Sequence, residues 1–600
     1  MSVVKKLWRL CEGSKSLFIF GILCGAVAST LNLTVPLVTR FTVDTLLSGA
    51  PADLPGFVLR AIDGLGGEEW LRQNLWVCGV VIVVIVAVMG FFMYLRGRSI
   101  VTASESVALK LRNSLYDHIQ KLPYEYHVKA QTGDLIQRCT SDVNTIRQFL
   151  AARIIELVRM IFNLVIAVFF MFTLHVQLTF ISFAVVPFIV LFSVKYYRQV
   201  SKIFHEVDVK EGELHTVLQE NLSGVRVVRA FGREKFEIEK FEVKNSEFRD
   251  LVIRLLDALA MFWSVSNALS LMQYGLIVVF AIYLNSVGEV SVGTFIAFIT
   301  YANSFLWPVR NLGRILSEFG QSKVAIGRIE EVLDTKEDTE DESWQNPPLN
   351  GDIVFDDVRF GFTQDSHVLK GMSFRVEYGQ TVAILGSTGS GKSTIMHLLL
   401  RLYEPQGGRI TIDGHAINTI SKKWLRQKVG IVLQEPFLYS KTVFENLKMA
   451  KDRLDMDEAK RAAKTASVHR DIKKFDKTYD TIVGEKGVTL SGGQKQRLAI
   501  ARTIIKDSDV LIFDDSLSAV DTETDAQIRQ ALKERQGDVT TFIISQRITT
   551  LMDADMILVV EDGKITDKGT HDELVARDGL YSKIWNIQTM MEDEFMTENA

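Results

Sequence analysis

The chain has 600 residues, enough for about four soluble domains at roughly 150 residues each, but 47% of them are hydrophobic while 23% are still charged. That mixture excludes a row of ordinary soluble domains, and it is unevenly spread: residues 160–194 contain no Asp, Glu, Lys or Arg, whereas 453–488 are densely charged. A formal net charge of −4 gives no electrostatic footprint for nucleic acid, and the four cysteines (Cys11, Cys24, Cys78, Cys139) lack the spacing of a zinc ribbon or a disulfide framework and read as small packing residues.

A bilayer core of about 30 Å needs about 20 apolar residues in a helix. Residues 16–39 and 73–95 meet that requirement. The run 160–194 is long enough for almost two spans, with His175, Val176 and Gln177 as the turning point. Residues 258–288 and 290–309 follow, separated by Glu289. Six spans are predicted, as helices over about 16–47, 73–96, 154–174, 176–197, 255–285 and 290–312, in an α-helical membrane domain of residues 1–325. The first is too long, and is followed by too much polar sequence, to read as a cleaved signal peptide.

Basic residues set the expected orientation. The segment 96–153 carries Arg96, Arg98, Lys110, Arg112, Lys121, Lys129, Arg138, Arg147 and Arg153, and 195–254 carries twelve more, whereas the connectors at 175–177 and 285–291 have none. The positive-inside bias places both long segments and both termini in the cytoplasm. Within 98–120, Val107, Leu111, Leu115 and Ile119 recur at helical spacing, and 200–222 behaves similarly, so the spans are predicted to continue as helices beyond the bilayer. Turn segments near 122–133 and 223–233 join them. The polar residues Asn32, Asn163, Asn267, Gln273 and Asn303, with Trp263 and Trp307 nearby, suit interhelical hydrogen bonds or a cavity lining. No ionisable residue is expected at mid-span, which argues against a proton relay and for an energy source elsewhere.

A linker over 326–350, acidic and Pro-containing from 335 on, leads to an α/β domain at 351–600. There an apolar strand ends at Ile384 and Leu385 and is followed by Gly386, Ser387, Thr388, Gly389, Ser390, Gly391, Lys392, Ser393 and Thr394, then a helical stretch. This is a P-loop in its proper strand–loop–helix context: glycines turn backbone N–H groups onto phosphate oxygens, Lys392 brings a mobile cation, and the Ser393 hydroxyl can sit on Mg²⁺. Farther on, the apolar run 510–513 ends in Asp514 and Asp515, a strand that delivers a carboxylate beside the P-loop to anchor Mg²⁺. Between them, Leu490, Ser491, Gly492, Gly493 and Gln494 open a helix and form a second phosphate cradle.

With these motifs in this order, the whole chain resembles a half-size ATP-binding-cassette (ABC) exporter of the type IV fold: six helices followed by one P-loop nucleotide-binding domain. The resemblance implies that Phe362 stacks on adenine and that 386–394 is the Walker A loop. It implies that Gln434 is the Q-loop residue sensing γ-phosphate and Mg²⁺, with Ser393 and Asp514 as the other metal contacts. Glu485 matches the acidic residue before the signature, and 490–494 matches the signature itself. Asp521 matches the aspartate of the D-loop, which communicates across the dimer. The two turn segments take the place of coupling helices. ATP and Mg²⁺ are the implied cofactors.

Two positions depart from the pattern. The family's catalytic Glu is replaced by Asp515 and its switch His by Gln546. An Asp carboxylate falls roughly 1 Å short of a Glu carboxylate, and displacement on that scale can cost on the order of 100-fold in rate. Gln can hydrogen-bond a γ-phosphate but cannot carry the proton or charge of imidazole. The implied protein is an ATP hydrolase impaired at its own Walker A/B site. It resembles the degenerate-site half of heterodimeric bacterial multidrug exporters, whose partner half-transporter supplies Glu and His. Its expected place is the plasma membrane, as a multi-pass protein in contact with lipid and an amphipathic or hydrophobic substrate. A slow homodimeric lipid or peptide exporter and an ATP-gated channel or regulator remain as rival readings.

Overall fold

The computed structural model describes residues 8–51, 56–64, 66–341, 343–363, 366–518, 520, 522–533 and 539–598. The chain forms two compact units, one of residues 1–121 and 130–336, the other of residues 122–129 and 337–600.

Among the described residues, the first unit has six helices long and apolar enough to cross a membrane. Helix α1 (Lys15–Phe41) passes into a π-helical turn at Thr42–Leu47. Helix α2 (Trp76–Lys121) is unbroken over 46 residues. Its apolar window is almost wholly unburied, as a lipid-facing surface must be, and its continuation buries Ile100, Ala103, Val107, Ala108, Leu111, Leu115 and Ile119. That stripe repeats every three or four residues, so one amphipathic helix runs on beyond the apolar stretch as the periodicity predicts. Helix α4 (Ile154–Leu174) ends at His175, whose backbone is extended and whose Nδ1 accepts from the Leu178 N–H at 3.2 Å, starting α5 (Val176–Phe183). A single residue ends one span and caps the next.

Pro187 lies in the first turn of α6 (Val186–Ala230), and the chain is broken before it. On α7 (Glu234–Ser286), Gln273 is fully buried and bridges that break: its Oε1 accepts from Val185 N–H and its Nε2 donates to Ile181 O, each at 2.9 Å. Backbone groups freed in an apolar region need such a partner. The interhelical role expected for the span amides also holds at Asn267, which accepts from Arg310 Nη1 at 2.8 Å, and at Asn303, which accepts from Tyr274 OH at 3.0 Å. Asn163 Oδ1 is buried without a partner. All four cysteines are free; Cys11, Cys24 and Cys78 are buried and Cys139 is half-buried.

Helix α8 (Val292–Arg310) is followed by α9 (Leu312–Leu333), which continues past position 326, where the linker was expected to begin. Ala325, Ile326, Ile329 and Val332 are all buried at helical spacing, and the charges of Arg328, Glu330 and Glu331 between them mask the pattern in the sequence.

A buried ionisable group lies at the end of the first span, beyond the apolar run. Asp44, 8% exposed, sits in the π turn after α1. Its Oδ1 accepts from Gly293 N–H at 2.8 Å, its Oδ2 accepts from Ser291 Oγ at 2.5 Å, and Arg40 Nε lies 3.5 Å from Oδ2. The carboxylate thus caps the start of α8, where the helix dipole favours negative charge. A Cβ at Gly293 would come within 2.7 Å of the Arg40 carbonyl oxygen and of the Asp44 carboxylate, so only glycine permits this approach.

The second unit is α/β. Its central sheet runs β10-β9-β3-β8-β7-β6, from β3 (Thr381–Gly386), β6 (Val429–Val432), β7 (Val510–Asp514), β8 (Thr540–Ile544), β9 (Met556–Glu561) and β10 (Lys564–Gly569); only β10 is antiparallel. A second, antiparallel sheet has the order β2-β1-β4-β5, from β1 (Ile353–Phe360), β2 (Leu369–Val376), β4 (Gly407–Ile412) and β5 (His415–Ala416). Strands β7 and β8 are buried at every residue, as parallel strands covered on both faces must be. The short helix α3 (Tyr124–Lys129) belongs to this unit, with the Tyr124 ring 5.5 Å from Tyr403 and 6.0 Å from His397.

Replacing Asp44 with Ala leaves the Gly293 N–H without its acceptor and takes one partner from the Ser291 hydroxyl, which keeps its bond to Thr294 Oγ1 at 2.8 Å. The expected cost is about 1–3 kcal/mol, read as a lower thermal unfolding midpoint of the detergent-purified protein; an unchanged midpoint contradicts the capping role.

Candidate functional site

Strand β3 is buried from Val382 on and ends at Gly386; the loop that follows turns into α10 (Lys392–Leu399). Gly389 and Gly391 have φ of 84° and 100°, which L side chains adopt only with strain, and Gly391 forms the helix N-cap. Ser390 N–H donates back to Ser387 O at 3.2 Å, and a Cβ at Gly389 would meet nothing within 4 Å, so the loop is tight but open at its tip, the kind of approach to a helix N-terminus that phosphate uses. Lys392 Nζ lies across it, donating to Gly386 O at 2.8 Å and Ser387 O at 2.7 Å. Burial pushes the Lys392 ammonium below its ordinary range, while Asp514 and Asp515 pull the other way.

Strand β7 delivers Asp514, 6% exposed, to its C-terminal end, where Oδ1 accepts from Ser393 Oγ at 2.9 Å. Burial raises the Asp514 carboxyl above its ordinary value against the pull of Ser393, His397 and Lys392. The next residue, Asp515, turns left-handed at φ 46° and donates its N–H to Ile544 O at 2.9 Å. Its Oδ2 accepts from Gln434 Nε2 at 3.1 Å, and its Oδ1 is buried without a partner.

These groups surround a cavity of about 400 Å³ lined by Phe362, Thr388, Gly389, Gly391, Lys392, Ser393, Thr394, Gln434, Asp514, Asp515 and Gln546, with Val368, Ile544 and Ser545 completing the wall. The volume is that of a small-molecule site. Of the loop residues named from the sequence, Gly386, Ser387 and Ser390 are not part of the lining; Ser387 is exposed and Ser390 is buried. Phe362 is half exposed at the rim, its ring held edge-on by Phe360 at 5.2 Å and by Tyr403 at 5.4 Å. Tyr403 escapes the sequence reading because only the folded sheet brings it to Phe362.

The second cradle lies apart from this cavity. Ser491 caps α11 (Gly492–Ile505): its Oγ accepts from Gln494 N–H at 3.3 Å, and Gln494 Oε1 accepts from Ser491 N–H at 3.1 Å. The helix N-terminus is thereby preset, with Gly492 bordered by open space and Leu490 packed against the core. Glu485 is exposed in a short 3-10 turn just before it. Asp521 lies outside the described residues.

The residues present fit ATP with Mg²⁺. The loop and Lys392 offer donors to phosphates, and Ser393, Asp514 and Gln434 offer oxygen ligands on one side. Among the described residues no three His, Cys, Asp or Glu side chains gather to hold an ion by themselves. A divalent cation there would complete its shell with phosphate oxygens and water, which is how Mg²⁺ binds at nucleotide sites. The orphaned Asp515 Oδ1 is a buried acceptor awaiting a donor or cation.

Comparison with known proteins agrees with this geometry. Residues 18–309 match the ABC transporter transmembrane region family, and residues 369–518 match the ABC transporter family. The chain is 33% identical to the uncharacterized ABC transporter ATP-binding protein YknU of Bacillus subtilis (strain 168), over 98% of each chain. It is 31% identical to the putative multidrug export ATP-binding/permease protein YgaD of the same organism, over 98% of this chain and 100% of the relative. The fold matches the structure of a bacterial Atm1-family ABC exporter with ATP bound at a TM-score of 0.80 and 25% identity, covering 96% of this chain and 98% of that one. Motif order, fold and full-length similarity converge: the chain belongs to the ABC exporters, as a half-size member whose six-helix transmembrane domain is fused to one ABC nucleotide-binding domain.

Proposed function

We propose that this chain exports amphipathic or hydrophobic compounds across the cell membrane as one half of a heterodimer, with its termini and nucleotide-binding domain in the cytoplasm. It holds Mg²⁺–ATP in a slow site of its own and lends its signature to a faster site on a second, non-identical half-exporter. The observation that carries this reading is the state of Asp515. Its side chain is a methylene shorter than Glu, one oxygen is engaged by Gln434 and the other is buried, while Lys392, Ser393 and Asp514 form a complete binding set. Binding groups are intact; the group that would polarise an attacking water is short.

Each residue then has a chemical task. The P-loop N–H groups and Lys392 hold the phosphates, Phe362 backs the base, Ser393 and Asp514 would hold Mg²⁺, and Gln434 senses the terminal phosphate and the metal. Bound Mg²⁺ would supply charge neutralisation at the phosphate oxygens. Gln546 offers its amide to the γ-phosphate without an exchangeable ring proton. Glu485 and Asp521 would face the second chain.

Two features support that second chain. The capped start of α11 is ready for an anion yet does not line this chain's own cavity. The end of α6 and the turn after it carry Leu222, Val227 and Phe231, each at least 60% exposed, an apolar tip of the kind that a partner covers. The similarity to YgaD, named as a multidrug export protein, supports the substrate class.

The test is vanadate-sensitive ATPase activity of the purified chain alone and with the product of its adjoining gene. Activity is expected to be at least about tenfold greater for the pair; equal, brisk turnover by the lone chain contradicts the heterodimer. Asp515→Glu combined with Gln546→His should raise turnover by about 10- to 100-fold in the self-paired protein, measured as kcat in detergent or lipid discs. No gain with nucleotide affinity intact would show that these two positions do not limit the rate.

A further inference from the structure

We propose that Gln588, on the C-terminal helix α15 (Leu580–Glu598), is a positioning residue for the switch loop: one side-chain amide grips the backbone on both sides of Arg547 and so sets how Gln546 reaches toward the terminal phosphate. The inference rests on the reading of Gln546 as the γ-phosphate contact.

Strand β8 ends at Ile544, and Ser545, Gln546 and Arg547 carry the chain into α13 (Ile548–Leu551). Gln588 Nε2 donates to Gln546 O at 2.9 Å while Gln588 Oε1 accepts from Ile548 N–H at 2.9 Å. A carboxamide is the side chain suited to this pair, because one end must donate and the other accept. The loop is fixed further by Arg547 N–H donating to Ser545 Oγ at 3.0 Å and by Arg547 Nη1 donating to Val520 O at 3.2 Å. None of these ties uses the Gln546 side chain, and Gln546 is among the residues that line the cavity.

The arm that holds the loop is itself anchored. Tyr581, 1% exposed, has its OH 2.7 Å from His571 Nδ1 on α14 (His571–Val575), and the Trp585 ring meets His571 at 4.8 Å. Tyr581, Trp585 and Gln588 are spaced four and three residues apart, so they share one helix face. A displacement of the C-terminal helix is therefore transmitted to Gln546 through two hydrogen bonds.

A purely structural role, capping α13 through Ile548 N–H, would affect stability and all nucleotides alike. Positioning of Gln546 acts only where a γ-phosphate is present. The test is equilibrium binding of Mg²⁺–ADP and of a non-hydrolysable Mg²⁺–ATP analogue to the full-length chain in lipid discs. Gln588→Leu removes both bonds; Gln588→Glu keeps the acceptor for Ile548 N–H but sets a carboxylate against Gln546 O. Both variants are expected to lower the preference for the ATP analogue over ADP by about 3- to 10-fold, with ADP affinity within about twofold of the parent. An unchanged preference in the Glu or Leu variant, with Gln546→Ala lowering it, overturns the positioning role and leaves the reading of Gln546 standing. Equal loss for both nucleotides also overturns it, as a stability effect. If Gln546→Ala itself leaves the preference unchanged, the γ-phosphate reading falls and this inference with it.

Discussion

The Asp515 carboxylate stands 3.1 Å from the Gln434 amide on one oxygen and without a partner on the other, and its backbone is tied to the sheet. Strand β7 is buried at every residue up to Asp514, and the Asp515 N–H is tied to Ile544 O in the neighbouring strand. On the proposed reading of a slow site, the missing methylene would not be recovered by a shift of the main chain, because these bonds hold it to the sheet. A site built this way retains what binding requires, since the phosphate loop, Lys392, Ser393 and Asp514 do not depend on that last carbon. In that proposal, rigidity in the sheet would separate gripping nucleotide from breaking it.

The same unit connects the P-loop cavity and the capped start of α11 through one helix. Gln496 on α11, 1% exposed, donates to Leu433 O at 3.3 Å, immediately before Gln434, and Arg502 Nη1 donates to Phe437 O at 3.1 Å. The helix that Ser491 caps therefore holds the backbone of the loop that touches Asp515. Occupancy at one surface has a short covalent and hydrogen-bonded route to the other. In the membrane half, polar groups follow a complementary rule. Gln273 serves a Pro-induced break and Asp44 serves a helix start, so each of these buried polar side chains answers a backbone need that lipid cannot meet.

Legibility in the sequence followed the range of the interaction. The spans could be read because charge is absent from them, and the stripe Val107, Leu111, Leu115, Ile119 because helical spacing is local. The P-loop could be read because strand, glycines and helix are consecutive. Helix α9 ran on to Leu333 because Ile326, Ile329 and Val332 are apolar at the right spacing, yet three nearby charges give the segment the look of a linker. Asp44 lies just past the apolar run, so its burial shows only once Ser291 and Gly293 arrive from the far end of the domain. Tyr403, which holds Phe362, and Gln588, which holds the switch loop 42 residues away, carry no sequence signal. Their contacts exist only in the folded chain.

The most direct measurement follows the nucleotide that this chain's own loop retains. The paired exporter is allowed to turn over ATP labelled at the γ-phosphate, photo-crosslinked through the base to this chain, and separated from its partner. If this chain's own site is the slow one, its crosslinked nucleotide still carries the γ-label after the nucleotide on the partner has lost its own. Loss of label from both chains at the same rate would contradict it.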